Sequence, residues 1–594
     1  MPEVLLAAEA ERASASLDED VAREWPEATA LSPAWLNARF RGREFVQGWT
    51  LPTTLTGLAE SLIFAIDQQY PYSLPRFGLL RKPTLCEMPH VESDGIFCLV
   101  AAHVAPAVPV SFGHVCALLG KAIALYGAGT SGVNRTDFLD EFMTYWTLGE
   151  RKLVDVEAWL TKEGQTTSIW FQQSKSTLYV ANSKENVERL LQRREIAIDK
   201  QRLTEGLYVH LPFPMYPDSY PRNSYQLLEL LRRVAPEFLT TVPKAWERSR
   251  KLLVILAFEW SGATMHGACV VEIKSSFPHP RGQGQQLISA FKRKRVSATQ
   301  LFHRIRDASF PVHRAGLVQI DSDFLLTRTT GKRPPVLGGA TVAVFGCGAI
   351  GAAVALQLAQ AGVRRLVLLD GDVLTMQNIG RHQLGTKYVG ANKALAVGRE
   401  IQSRFVDMDV EAIPLDWDRA KLDDKFWDTT DIIVSATGDW LTDVKLNELT
   451  RNGVAPPIVF TWVERFALAG HAILVVPDGG CLRCRTNAVG DYLGQVSRVG
   501  GDLPREPGCG AFYQPYSAAD ASVTVAMTTG LTLEALTGAH EVSVQKTWVG
   551  SRTGFVTTGA GIMPEWHERL SEQQGFERTY SAALDKMTLC TQCF

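Results

Sequence analysis

The sequence predicts a multidomain α/β chain, and three observations predict it. The apolar run Val342–Phe345 enters Gly346-x-Gly348-x-x-Gly351, and a long Ala/Leu-rich helical pattern comes next: strand, turn and helix in order. A second apolar run, Leu366–Leu369, ends at Asp370 as a second parallel strand would. Upstream, strand-like pieces at Thr167–Phe171 and Ser176–Ala181 precede a helical Glu185–Glu195, and Leu252–Ala257 reads as a further buried strand.

Length and composition set the bounds. A chain of 594 residues holds several domains, and 46% apolar with 21% charged residues describes an ordinary soluble protein. A formal charge of −2 gives no reason to expect nucleic acid as a ligand. The one basic run, Lys292–Arg295, reads as a solvated face or a partner patch. No apolar stretch reads as membrane-spanning, and the early acidic N-terminus lacks the basic start of a signal peptide. Ten cysteines in a chain this long make no disulfide framework; their spacing points to metal binding and catalysis in a reducing compartment, hence the cytoplasm. Three blocks emerge: residues 1–162, 163–316 and 317–594, the last entered through the loop Gly331-Lys332-Arg333-Pro334-Pro335.

The glycine loop can cradle a phosphate at a helix N-terminus, and Asp370 suits a ribose hydroxyl. The residues after this acid separate the block from a nicotinamide site. Asp370-Gly371-Asp372, then Asn378 and Arg381, place a second acid, an amide and a cation just past the second strand. A cation there suits a triphosphate under attack by a carboxylate. Lys393 comes later, in Ala391-Asn392-Lys393-Ala394, and Asp439 closes the run Ile432–Gly438. This ordered string resembles the adenylation domain of the ubiquitin-activating family, shared with enzymes that activate sulfur-carrier proteins. The resemblance implies binding of ATP with Mg²⁺ and adenylation of a protein C-terminus. Asp370 would hold ribose, Arg381 and Lys393 the phosphates, and Asp439 the metal.

Near the front, Pro71-Tyr72-Ser73-Leu74-Pro75 precedes Pro89-His90-Val91 and then Asp94-Gly95-Ile96-Phe97-Cys98-Leu99. A cysteine just after a glycine turn, with an imidazole upstream, is a candidate nucleophile. The stretch resembles the ubiquitin-conjugating core, in which such a cysteine carries a thioester. The family's His-Pro-Asn is replaced by Pro89-His90-Val91, so no Asn serves the oxyanion; His90 or a backbone N–H is the candidate substitute. Cys86 lacks the glycine turn and reads as structural.

Near the back, Cys481-Leu-Arg-Cys484 and Cys590-Thr-Gln-Cys593 form two C-x-x-C knuckles that suit one tetrahedral thiolate zinc site. Cys509 lies between glycines in Pro507-Gly508-Cys509-Gly510, as a nucleophile on a travelling loop would, in preference to Cys347, Cys116 and Cys269. The adenylating family carries its first thioester on such a cysteine.

The order of blocks resembles the bacterial activating–conjugating fusion of CBASS antiphage operons. That resemblance implies an α+β conjugating domain over 1–162, an α/β linker domain over 163–316 of a kind related to an inactive adenylation domain, and a Rossmann-like adenylation domain over 317–594. It further implies that the C-terminus of a cGAS-like cyclic-oligonucleotide synthase is the acyl group. This group would pass from Cys509 to Cys98 and on to target lysines, priming the synthase. A homodimer through the adenylation domain is implied too, with Arg328 a candidate to act in trans. The alternatives are an activator of a sulfur-carrier or ubiquitin-like modifier, with the first block as a non-catalytic docking module, and a binding protein whose nucleotide site only switches conformation.

Overall fold

The computed structural model describes residues 2–100, 108–150, 154–160, 164–237, 251–272, 297–322, 324–326, 335–487, 491–501, 514–571, 575–588, 590 and 593. It divides into two compact units: Met1–Glu157, Lys162–Val187 and Asp199–Val318 form one, and Ala158–Thr161, Glu188–Ile198 and Gln319–Phe594 the other. Most of the first two sequence blocks therefore falls in one unit. Cys509 and Arg328 lie outside the described residues.

In the first unit an antiparallel sheet runs in chain order through Thr29–Leu31, Phe45–Leu51, Leu62–Asp67 and Arg76–Leu79. Strand Leu62–Asp67 is buried at its first five positions because both faces are covered. On one face Phe64, Phe77 and Trp49 meet Leu17 and Val21 of the N-terminal helix and Val115 and Leu118 of helix Phe112–Ser131. On the other, Ile63 and Ala65 meet Leu36 and Phe40, at and just past helix Pro33–Arg39. Trp49 and Phe64 stack with ring centroids 4.4 Å apart, and each such buried side chain contributes about 1.5–3 kcal/mol. Helix Phe112–Ser131 qualifies the membrane expectation: by length and composition it is apolar enough to cross a membrane, yet Val115, Leu118, Leu119, Ala122 and Tyr126 lie in this core.

A second sheet comes next, with Val312–Ala315, Ala263–Glu272, Lys251–Trp260, Thr204–His210, Thr167–Ser174 and Thr177–Ala181 as successive neighbours. Thr204–His210 and Lys251–Trp260 run parallel, and the other neighbours among these strands antiparallel. The helical turns Asp137–Asp140 and Phe142–Thr147 dock on it. Phe138, Phe142 and Trp146 share one core with Leu252, Val254 and Leu256, and a Cβ at Gly267 would sit 2.6 Å from the Trp146 ring.

In the second unit eight strands form one sheet in the spatial order Asp409–Ile413, Arg365–Leu369, Thr341–Phe345, Ile432–Ser435, Ile458–Val463, Ala469–Val475, Val544–Val549, Arg578–Ala583. The first five are parallel and the last three antiparallel. Thr341–Phe345 and Ile432–Ser435 are buried at every position, as parallel strands covered on both faces must be. Helices Ala349–Ala361, Lys393–Arg404 and Ala518–Leu536 cover one face. The chain order reverses between Thr341–Phe345 and Ile432–Ser435, and a crevice opens at the carboxyl ends of strands flanking such a reversal.

Candidate functional site

The predicted adenylation residues meet at these strand ends. Gly346 leaves Phe345 with φ +84°, and a Cβ there would lie 2.7 Å from the Ala436 carbonyl oxygen. At Gly351 a Cβ would run into the Gly346 carbonyl oxygen, so the first and third glycines serve close packing. Gly348 differs: a Cβ there meets nothing within 4 Å. It is also the N-cap of helix Ala349–Ala361, with no side chain capping the free N–H groups. An open approach over an uncapped helix N-terminus fits a phosphate.

Asp370 is 8% exposed and accepts hydrogen bonds from the backbone N–H of Cys347 (2.7 Å) and of Asp372 (2.8 Å). Burial raises its pKa, while Lys393 and the two backbone donors pull the other way. Lys393 donates to Asp372 Oδ2 at 2.7 Å. Asn392 orders this corner, donating to the carbonyls of Asp370 and Asp372 while capping helix Lys393–Arg404. His382, 8% exposed, places Nε2 at 2.8 Å from the Cys347 carbonyl and accepts from Leu384 N–H at Nδ1. Its pKa is lowered by burial, so the neutral ring ties the glycine loop to the segment after Arg381.

Other predicted residues are committed differently. Asn378 Oδ1 accepts from the Thr375 backbone N–H and hydroxyl, closing a local turn. Arg381 donates to the Gln514 carbonyl at 3.2 Å and lies over the Tyr516 ring, 5.2 Å from its centroid. Asp439 caps helix Trp440–Arg451 through Thr442 N–H, and that hydrogen bonding lowers its pKa. One turn along, Asp443 is buried; desolvation pushes its pKa up to about 7 although Ser435 donates to it at 2.6 Å. Thr437 reaches the same carboxylate and also accepts from Asp439 N–H, so Asp443 anchors the turn that carries Asp439. Sequence reasoning missed His382, Asn392 and Asp443; the first two stand beside residues it named.

The four distant cysteines come together. Sγ atoms of Cys481 and Cys484 lie 3.8 Å apart, Cys481 and Cys590 3.6 Å, and Cys484 and Cys593 3.4 Å. All four thiols fall within 4.8 Å of one another, and this cluster can hold a metal ion. Sulfurs on a tetrahedron about 2.3 Å from zinc stand about 3.8 Å apart, so the spacing fits. The backbone N–H groups of Cys481 and Met587 point at Cys484 Sγ, the usual support of a thiolate.

In the first unit Cys98 is exposed. The turn at Gly95 (φ +96°) folds its segment onto strand Arg76–Leu79, where a Cβ at Gly78 would sit 2.6 Å from the Gly95 carbonyl. Cys98 N–H donates to the His90 carbonyl at 2.8 Å, and Val91 pairs with Phe97, which sets His90 opposite Cys98. Burial, then Glu141 and Glu92, raise the Cys98 pKa. The thiol is exposed without being held as a thiolate. Cys86 is half-buried against the second sheet's core, as a structural cysteine would be.

Two family matches fit these two centres. Residues 335–549 match the ThiF family and residues 22–154 match Prokaryotic E2 family B. The chain thus joins an E2-like domain to a ThiF adenylating domain, and its class is an ATP-dependent ligase or transferase. Over 494 residues it is 25% identical to the ATP-dependent ubiquitin transferase-like protein Cap2 of Pseudomonas aeruginosa (strain BWHPSA011 / Pa011), covering 79% of this chain and 84% of that one. The Cap2 of Escherichia coli (strain TW11681) is 30% identical over 36% of this chain and 38% of its own length. The SAMP-activating enzyme E1 of Haloferax volcanii is 31% identical over 24% of this chain and 52% of its own.

Proposed function

We propose that the chain adenylates the C-terminus of a partner protein and conjugates it to lysines through successive thioesters on Cys509 and Cys98. The observation that carries this reading is the pairing, in one chain, of the Gly346–Asp370–Lys393 corner with an exposed E2-like cysteine. ATP supplies an activated phosphate that a carboxylate can attack. The Gly348 backbone and the free N–H groups of helix Ala349–Ala361 bind phosphate, Asp370 holds ribose, and Lys393 offsets charge gathering on pyrophosphate. Arg381 shares that work on leaving Gln514, and Asp372 and Asn378 shape the corner. Asp439 is the Mg²⁺ ligand, its carboxylate kept ionised by its N-cap hydrogen bond. The acyl group moves to Cys509, then to Cys98, then to an amine, each transfer dividing one hard step into easier ones.

Cys481, Cys484, Cys590 and Cys593 hold a structural Zn²⁺ that pins the tail to the ThiF domain. The partner is a cGAS-like synthase in an antiphage CBASS setting, the adenylation domain forms a homodimer, and the enzyme works in the cytoplasm. The domain limits near 162/163 and 316/317 belong to the same proposal. The test is ATP–pyrophosphate exchange with the synthase added, then a gel run without reductant. Exchange with a thiol-sensitive adduct supports the reading; no exchange sinks it.

A further inference from the structure

On the reading that the glycine loop binds ATP, we infer that His382, with its proton on Nε2, is a positioning residue for the phosphates. It aims the backbone N–H of Gly348 at the nucleotide without touching the nucleotide itself.

Two hydrogen bonds fix the ring. The Leu384 backbone N–H donates to Nδ1 at 3.1 Å, so Nδ1 carries no proton. Nε2 lies 2.8 Å from the Cys347 carbonyl oxygen and therefore carries one. An imidazolium would set a second proton against the Leu384 N–H, and burial opposes that charge. The turn around Asn378 delivers the ring, since the Asn378 carbonyl accepts from the N–H of both Arg381 and His382. Leu384, 3% exposed, anchors the other end in the core that holds helix Ala349–Ala361.

The consequence falls on the next peptide group. A trans peptide sets its carbonyl and its N–H on opposite sides. The Cys347 carbonyl shares such a plane with the Gly348 N–H, so holding the first toward His382 turns the second away. Among the described residues that N–H makes no hydrogen bond, and a Cβ at Gly348 would meet nothing within 4 Å. On the other side, the Cys347 N–H donates to Asp370 Oδ2 at 2.7 Å. Asp370 and His382 thus clamp two successive peptide groups of the loop. A donor fixed before the ligand arrives costs no reorganisation when phosphate binds.

The test titrates the full chain with ATP·Mg²⁺, and separately with adenosine, by calorimetry at neutral pH. His382→Gln can still donate to Cys347 and accept from Leu384, whereas His382→Asn is too short to reach Cys347. The Asn variant should bind ATP at least about tenfold more weakly, and the Gln variant should stay within about threefold of the parent. Adenosine, which lacks phosphate, should bind all three proteins alike. Nitrogen NMR of the histidine-labelled chain, with the Gln variant assigning the signal, should show His382 neutral and protonated at Nε2. Equal ATP affinity in parent and Asn variant overturns the inference, as does a Gln variant as weak as the Asn one. A matching loss for ATP and adenosine overturns it too, since that marks a structural role, and so does a proton on Nδ1. A parent chain that binds no ATP would sink the proposed function along with it; normal parent binding with an indifferent Asn variant counts against His382 alone.

Discussion

The ThiF crevice and the Cys98 turn are built on opposite principles. In the crevice Asp372 already ties Lys393 to Asp370, and Asn392 bonds the carbonyls of both acids. At the Cys98 turn the thiol is exposed, its pKa is raised, and the acids Asp137 and Glu141 stand around His90. A site that must gather charge on a leaving pyrophosphate gains from fixed donors and cations. A site that only receives and passes on an acyl group needs access.

The largest effects should separate the two regions. Lys393→Ala should cut ATP–pyrophosphate exchange by at least about 100-fold and abolish everything downstream. Cys98→Ala should leave exchange unchanged while abolishing lysine modification; exchange falling with Cys98 would break the separation. Within the glycine loop, Gly351→Ala should cost about 1–3 kcal/mol by overpacking, read as a lower melting temperature. Gly348→Ala, facing open space, should melt like the parent and weaken ATP binding instead.

Metal comes next. Cys590→Ser should lower zinc content and the melting temperature of the chain together; unchanged metal content would exclude the four-thiol site. The smallest effect concerns Asp443. Its folded pKa, about 7, stands above its ordinary value, so the folded state holds a proton that the unfolded state releases. Its contribution therefore favours folding below about pH 4 and is lost as pH rises toward about 7. Asp443→Asn should flatten the fall in melting temperature between about pH 4 and about pH 7; an unaltered slope would show that the carboxyl titrates normally.

Much of this was legible in the chain. The glycine loop, Asp370 and Lys393 occur in order because one strand end after another delivers them to the same crevice. The two knuckles could be paired from thiolate chemistry together with the family resemblance, although Cys481 and Cys590 are 109 residues apart. His382 and Asp443 were not legible, since each acts by hydrogen bonds to a turn whose path only the folded sheet defines. Arg381 reads as a phosphate ligand, yet here it serves Gln514 and Tyr516, which lie far along the chain. Asp137 and Glu141 look like surface acids in sequence; only the docking of their helical turns brings them to His90.

The most direct test of the two-centre relay is the ATP-dependent appearance of a thioester on Cys98. The full chain, ATP·Mg²⁺ and a cGAS-like synthase are combined, run without reductant, and the adduct is mapped by mass spectrometry. The expected result is a thiol-sensitive link from the synthase C-terminus to Cys98 that is absent in Lys393→Ala. Adenylation with no acyl group ever reaching Cys98 would contradict the relay.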